Sequence, residues 1–191
     1  LDHSGLLPRL YREGFRGDII STRATAELLD VMLHDSVGLY LRDLERTNIR
    51  RARRGQPPID PVFGQDDVTG VLGLCSPSDY GKARPLGEGG EVLFHDAGHI
   101  LGSSIIEVRL REKGKSKTLV FSGDLGKSES ALMNEPAALT RADLVLMEST
   151  YGDREHRDEQ DSQGQLRDIL QATWRRGGSV MIPAFAVGRT Q

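Results

Sequence analysis

Five histidines and a small set of carboxylates are the groups in this 191-residue chain that could hold a metal or move a proton. His95 and His99 stand four residues apart in Phe94-His-Asp-Ala-Gly-His-Ile100, and Asp124 follows in Phe121-Ser-Gly-Asp-Leu-Gly126. Each lies just past a short apolar run, Val92–Phe94 for the histidines and Thr118–Phe121 for the aspartate, with a third run, Ile105–Leu110, between them. Imidazole and carboxylate groups at strand ends suit a metal or an acid–base site, because strands fix position while loops give access. The two histidines are expected to share one loop. Without a helix to bring both to one face, only one of them is expected to point at a site. His3 follows Asp2 directly, a dipeptide whose ordinary meaning is a polar terminus. His34 falls beside Leu33 and near Val37 in a helical pattern and reads as a boundary or surface residue. His156 lies in the charged run Asp153-Arg-Glu-His-Arg-Asp-Glu159, where solvent exposure is the default.

The elements that would position these groups can be placed from apolar periodicity. Leu6, Leu7, Leu10, Tyr11 and Phe15 predict a short amphipathic helix over 5–14, and 17–22 a short buried strand. Thr22 or Thr25 is placed to cap the next helix, in which Leu28, Leu29, Met32, Leu33, Val37, Tyr40, Leu41 and Leu44 keep a 3.6-residue period. That helix runs into Arg46, Arg50, Arg51, Arg53 and Arg54, followed by a Gly55–Pro61 breaker. The arginines have two readings, a solvated helix C-terminus or a phosphate-contacting patch, and the cluster alone does not decide between them. A further helix is expected over 65–72, capped by Asp66 or Asp67, and a loop-rich stretch over 76–90. After the three strands come an apolar strand over 143–147 and a helix from about Ser162 to Arg175, with Ser162 and Gln165 as a capping box. A last strand is expected over 178–183. The closing strand–helix–strand has the length of a parallel crossover, and the whole order predicts an α/β chain of sheet layers covered by helices.

Composition narrows the function classes. The 37% hydrophobic content fits a globular chain with a core, and no apolar run approaches the ~20 residues needed to span a bilayer, so no membrane partner is expected. The first residues carry no secretory pattern, and the absence of an initiator Met suggests that Leu1 is not the natural start. The single Cys75 allows no internal disulfide, which favours a reducing compartment such as the cytoplasm. A formal net charge of -3 gives no global attraction to nucleic acid, so any polyanion must be met by a local basic patch.

Five segments occur in order: Asp2-His-Ser-Gly-Leu-Leu-Pro8, Ala97-Gly-His-Ile-Leu-Gly102, Ser122-Gly-Asp-Leu-Gly126, Glu148-Ser-Thr-Tyr-Gly152 and Ile182-Pro-Ala-Phe-Ala-Val-Gly-Arg189. Together they resemble the metallo-β-lactamase superfamily, in its β-CASP branch of RNA- and DNA-processing nucleases. The resemblance covers essentially the whole chain. It implies a metallo-β-lactamase-like αββα sandwich over 1–147, lacking its first strands, and the start of an inserted β-CASP α/β domain over 148–191. It also implies two zinc ions in the full-length protein, with Asp2 and His3 as ligands of one, His99 with the other, and Asp124 bridging them. His95 matches no ligand position. Glu148 looks like the acidic residue of the first β-CASP motif, so the implied catalytic groups are Asp2, Asp124 and Glu148. The leading His-x-His of the superfamily motif and a final metal-binding histidine have no counterpart in this sequence.

The residue types suit that chemistry. Two metals ~3.5–4 Å apart activate a shared water and clamp the oxygens of an in-line phosphoryl displacement. Imidazole nitrogens suit zinc, and an aspartate serves two ions through its two oxygens. The implied function is zinc-dependent cleavage of single-stranded RNA, with a second copy of the chain, in a homodimer, as a further expected partner. The fragment alone is expected to be a poor enzyme. Alternatives are a non-catalytic scaffold that binds RNA or protein, a DNA-directed nuclease of the same branch, and another superfamily hydrolase. Retention of Asp2, His3, His99 and Asp124 argues against the scaffold, Glu148 in place of Asp leans toward RNA, and the last two segments weigh against a lactamase-like or thioesterase-like enzyme.

Overall fold

A computed structural model of the chain describes residues 3–128, 132–154 and 159–188, the side chains of 159 and 160 excepted. Asp2, His156 and Arg189 therefore lie outside the described residues. The chain divides into two compact units, Leu1–Leu146 and Met147–Gln191.

The first unit opens with α1 (Leu7–Arg12), which carries Pro8 in its first turn, where a missing N–H costs nothing. After β1 (Ile19–Thr22) comes the 30-residue α2 (Arg23–Ala52). Thr22 is its N-cap, accepting a hydrogen bond from the Thr25 N–H. Leu29, Leu33 and Val37 recur at four-residue spacing on α2 and are almost fully buried, as are Val68 and Val71 of α3 (Gln65–Leu72), which packs against them. Each such side chain contributes roughly 1.5–3 kcal/mol of transfer free energy, so this helical core holds the first half of the unit. The N-cap of α3 is Gly64; Asp67 sits a turn inside and its Oδ2 accepts from the Gly64 N–H at 2.8 Å, so neither expected aspartate is the cap. His34 bridges α2 and α3 at the surface, its Nδ1 3.0 Å from Gln65 Oε1, as a boundary residue would.

The stretch 76–90 is more regular than its glycines and prolines suggest. It contains β2 (Cys75–Ser78), which pairs in parallel with β1 from Ile19↔Cys75 to Thr22↔Ser78, and the short β3 (Arg84–Pro85). Pro77 obscured β2, but an edge position tolerates a proline because no ladder donor is required there.

The second sheet has the order β3-β4-β5-β6-β7, with β4 (Gly90–Asp96), β5 (Ser104–Glu112), β6 (Lys115–Phe121) and β7 (Leu144–Leu146). All neighbours are antiparallel except β6 and β7. In β4 the consecutive residues Val92, Leu93 and Phe94 are all buried; since successive side chains point to opposite faces, both faces of this strand are covered. A smaller core of Ala97, Ile105 and Val120, with Leu125 and Leu139 against it, lies beneath the strand ends. β7 is aligned by Asp143, whose carboxylate takes hydrogen bonds from Lys117 (2.6 Å) and the Thr118 N–H (2.9 Å); these two partners hold its pKa below the ordinary carboxylate value.

In the second unit α4 spans Glu159–Arg175. It starts three residues before Ser162, so Ser162 and Gln165 are interior and form no capping box. The expected strand over 178–183 is absent: those residues have no strand structure, and Met181 is 93% exposed. β-branched and apolar residues adopt strand geometry only against a partner, and no second strand occurs among the described residues of this unit. The closing strand–helix–strand expectation fails with it, while the α/β class stands.

Candidate metal and acid–base site

Two loops build the site. One leaves β4 at Asp96 and returns to β5 at Ser104, carrying His99; the other leaves β6 at Phe121 and carries Asp124. His99 Nε2 and Asp124 Oδ2 are 3.9 Å apart, and their side chains are 40% and 65% exposed. That separation exceeds a hydrogen bond. It is close to the spacing of two donors on one tetrahedral ion, ~3.4 Å for metal–ligand bonds of ~2.1 Å. Among the described residues neither side chain has another polar partner, so both remain available to a third group.

The His99 loop is pinned along its length. Asp96 Oδ1 accepts from the Gly98 N–H (2.9 Å) and its Oδ2 from Asn134 (2.9 Å). Ser103 Oγ accepts from the N–H groups of His99 (3.1 Å) and Ile100 (3.2 Å). The carbonyl of Gly102 receives the hydroxyls of Thr22 (2.8 Å) and Thr25 (3.0 Å), so the first turn of α2 holds the far end of the loop. Gly102 has φ +83°, and a Cβ there would press within 2.7 Å of the Thr25 backbone nitrogen, so this turn requires glycine. Tyr80 donates to the Ser103 carbonyl at 2.8 Å; burial and the nearby Asp96 raise its phenol pKa, which keeps the donor protonated.

The two loops are also locked to each other. The Gly126 N–H donates to the Ala97 carbonyl at 2.8 Å, and a Cβ on Gly126 would overlap the Gly98 carbonyl. Backbone therefore meets backbone between His99 and Asp124, and the spacing of the pair is set by main chain rather than by flexible side chains.

His95 occupies a different environment. It lies within β4, opposite Ile105, and not in the loop with His99. Its Nε2 is 2.7 Å from Glu107 Oε2, while Glu107 Oε1 accepts from Arg109 Nε at 2.6 Å, and Arg109 reaches Glu91 at 3.3 Å. Burial opposes the charge on Glu107, but the hydrogen bonds from Arg109 and His95 outweigh it and hold the carboxyl below its ordinary range. A carboxylate only accepts, so His95 Nε2 carries the hydrogen of this bond.

Not every expected ligand joins the pair. His3 is exposed in a turn before α1, and among the described residues no three His, Cys, Asp or Glu side chains converge into a metal-binding group. Asp2 lies outside the described residues, and Glu148 belongs to the second unit. Of the residues that hold the loop, Asp96 and Ser103 were not singled out from the sequence, and Thr22 and Thr25 only as candidate caps of α2. The Asp96-Ala-Gly98 turn carries a local signal, since a short carboxylate commonly accepts a hydrogen bond from the N–H two residues on. The Thr22 and Thr25 bonds to Gly102 span some eighty positions and have none.

Comparison with known proteins gives relatives named as a ribonuclease and as a transcription termination factor. No family model matches the chain. It is 40% identical over 191 residues to Ribonuclease TTHA0252 of Thermus thermophilus, an alignment that covers 100% of this chain and 39% of that protein. It is 32% identical over 195 residues to the transcription termination factor FttA of a Lokiarchaeum species, and 32% identical over 196 residues to the FttA of Pyrococcus abyssi. Both of those alignments cover 100% of this chain and 28% of the relative. The chain thus spans less than half the length of each of these curated relatives.

Proposed function

We propose that the chain carries part of the active site of a metal-dependent ribonuclease, in the metallo-β-lactamase-like arrangement of the β-CASP branch, acting in the cytoplasm. The observation that carries this reading is the His99–Asp124 pair: an imidazole and a carboxylate 3.9 Å apart, accessible, and fixed by a backbone-to-backbone lock. Likeness to a protein named a ribonuclease supports RNA as the substrate class.

The donor set fits zinc in kind. His99 offers a borderline nitrogen and Asp124 a carboxylate with a second oxygen to spare, and Asp2 and His3 are the further ligands implied by the five-segment resemblance. When bound, zinc would supply a water of lowered pKa and positive charge opposite the phosphate. The chain's own residues do the rest. Asp124 orients the group that attacks phosphorus, and the hydrogen bonds from the His99 and Ile100 N–H groups to Ser103 Oγ fix the backbone from which the imidazole projects. Glu148, two residues beyond β7, is assigned to proton delivery at the leaving oxygen, directly or through the group that it orients.

The test pairs metal content with cleavage. Zinc titration of the full-length wild-type protein and its His99→Ala and Asp124→Asn variants should show weakened binding in both variants, together with loss of cleavage of a 5′-labelled single-stranded RNA. Unchanged cleavage after chelation would sink the metal-dependent reading.

A further inference from the structure

The C-terminal half of α2 carries a charged face that the site does not use. Residues 57–62 run along one side of this half: Asn48 exchanges two hydrogen bonds with Ile59 (2.9 and 2.8 Å), Arg51 Nε donates to the Pro57 carbonyl (2.8 Å), and the Val62 N–H donates to the Tyr40 hydroxyl (2.8 Å). Tyr40, Leu44, Asn48 and Arg51 are accordingly the less exposed positions there. The opposite side is open. At about 100° per residue, Arg42, Arg46, Arg50 and Arg53 fall within roughly 80° of one another on that side, and all four are exposed.

Three of them are uncommitted. The guanidinium groups of Arg42, Arg50 and Arg53 make no ion pair or hydrogen bond among the described residues, while Arg46 meets Asp43 at 3.5 Å in a pair whose side chains are 73% and 75% exposed. Such an exposed pair is worth little and is readily exchanged for another anion. Asp43 and Glu45 are the acidic residues flanking the stripe. Consecutive arginines are spaced by about 4.5–6 Å along the axis. A row of guanidinium groups at that pitch, in a chain of net charge -3, is suited to a line of phosphates.

The row is also joined mechanically to the site. The first turn of α2 holds Gly102 at one end of the His99 loop, and at 1.5 Å per residue Arg42 and Arg53 lie about 30 and 46 Å from Thr22 along a continuous helix. We infer that the Arg42–Arg46–Arg50–Arg53 stripe is a secondary binding site for the phosphate backbone of single-stranded RNA, contacting substrate at a distance from the bond that is cut. This inference takes its choice of polyanion from the RNA reading above. It concerns affinity and not the chemical step, because phosphate contacts position a nucleic acid without reading its sequence.

The experiment is fluorescence anisotropy with the full chain in EDTA, so that binding is measured without cleavage. The probes are a labelled oligouridylate long enough to reach from Thr22 to Arg53 and a labelled trinucleotide. The R42Q/R46Q/R50Q/R53Q variant should bind the long RNA about tenfold or more weakly at ~0.1 M salt, with a log–log salt slope smaller by about 2–3, near 0.7 for each lost phosphate contact. The trinucleotide should be unaffected, and the matching arginine-to-lysine variant should recover most of the slope, since a point charge still neutralises phosphate. Equal affinity and slope for wild type and the glutamine variant would overturn the inference, as would retention of polyglutamate in preference to oligouridylate. A parallel cleavage assay with metal separates the two proposals. With the full-length protein in that assay, stripe-dependent binding without any cleavage would leave the stripe standing and remove the nuclease reading, whereas cleavage with an unchanged salt slope would do the reverse.

Discussion

Two histidines four residues apart in sequence have opposite situations in the fold. His95 is held in β4 by Glu107, which is itself held by Arg109 and, through it, Glu91, and the whole row lies on β4 and β5. His99 stands in a loop, with Asp124 at 3.9 Å as its charged partner among the described residues. The first ring has its hydrogen bond already made; the second has its backbone fixed and its ring available. A side chain suited to chemistry is thus marked less by its type than by whether the fold has already satisfied it.

The contrast can be broken most decisively at His99. His99→Ala should lower RNA cleavage by more than about 10²-fold, since even a supporting partner of a metal ligand typically costs 10–100-fold, while urea denaturation should show little change in midpoint. Comparable activity loss in His99→Ala and His95→Ala, at equal stability, would erase the distinction. Next comes Gly126→Ala, which forces a methyl group against the Gly98 carbonyl. It should destabilise the protein by about 1–3 kcal/mol and weaken zinc affinity at the same time, the two losses being read by thermal unfolding and by titration. Glu107→Ala, by contrast, should cost about 2 kcal/mol of stability, less than for a fully buried pair because Arg109 is 42% exposed. Its cleavage per folded molecule should remain within a few-fold of wild type.

The smallest effect is one of pH. The folded-state pKa of Glu107 lies below its ordinary value of 4.5. Its ionised form therefore contributes stability that is fully present above the unfolded value and is lost as pH falls through the depressed folded value. Wild type and Glu107→Gln should differ in unfolding free energy at pH 6, and the difference should shrink as pH falls from 4.5 through the depressed folded value. A constant difference across that range would mean that packing, not charge, accounts for the role of Glu107.

Much of the scaffold was legible because it obeys short-range rules. Leu29, Leu33 and Val37 announce their helix by spacing, and Val92–Phe94, Ile105–Leu110 and Thr118–Phe121 mark the cores of three real strands. What misled was also local. Pro77 and the glycines hid β2, whose partner β1 lies more than fifty positions away, and Val180-Met-Ile182 has the composition of a strand without an observed neighbour to pair with. At the site, the apolar run before His95 was read as ending two residues too soon. Only the register, with His95 opposite Ile105 and its ring reaching Glu107, shows that the strand continues. Asp124 and His99 were visible as types, but their distance is fixed by the bond between Gly126 and Ala97, which no spacing rule contains.

The position of that bond bears on the order in which the protein assembles. Ala97 and Gly126 are brought near each other by one continuous antiparallel meander, Gly90 to Phe121, whose contacts are close in sequence and form rapidly. The parallel pairs β1–β2 and β6–β7 require longer loops to close first, at a greater entropic cost. In pulse-labelled hydrogen exchange during refolding, the amides of Val108 and Gly126 are expected to gain protection before that of Ile20. If they do, His99 and Asp124 are brought together while much of the surrounding chain is still unfolded. Metal present at that stage would then influence the rate of folding as well as the stability of its product.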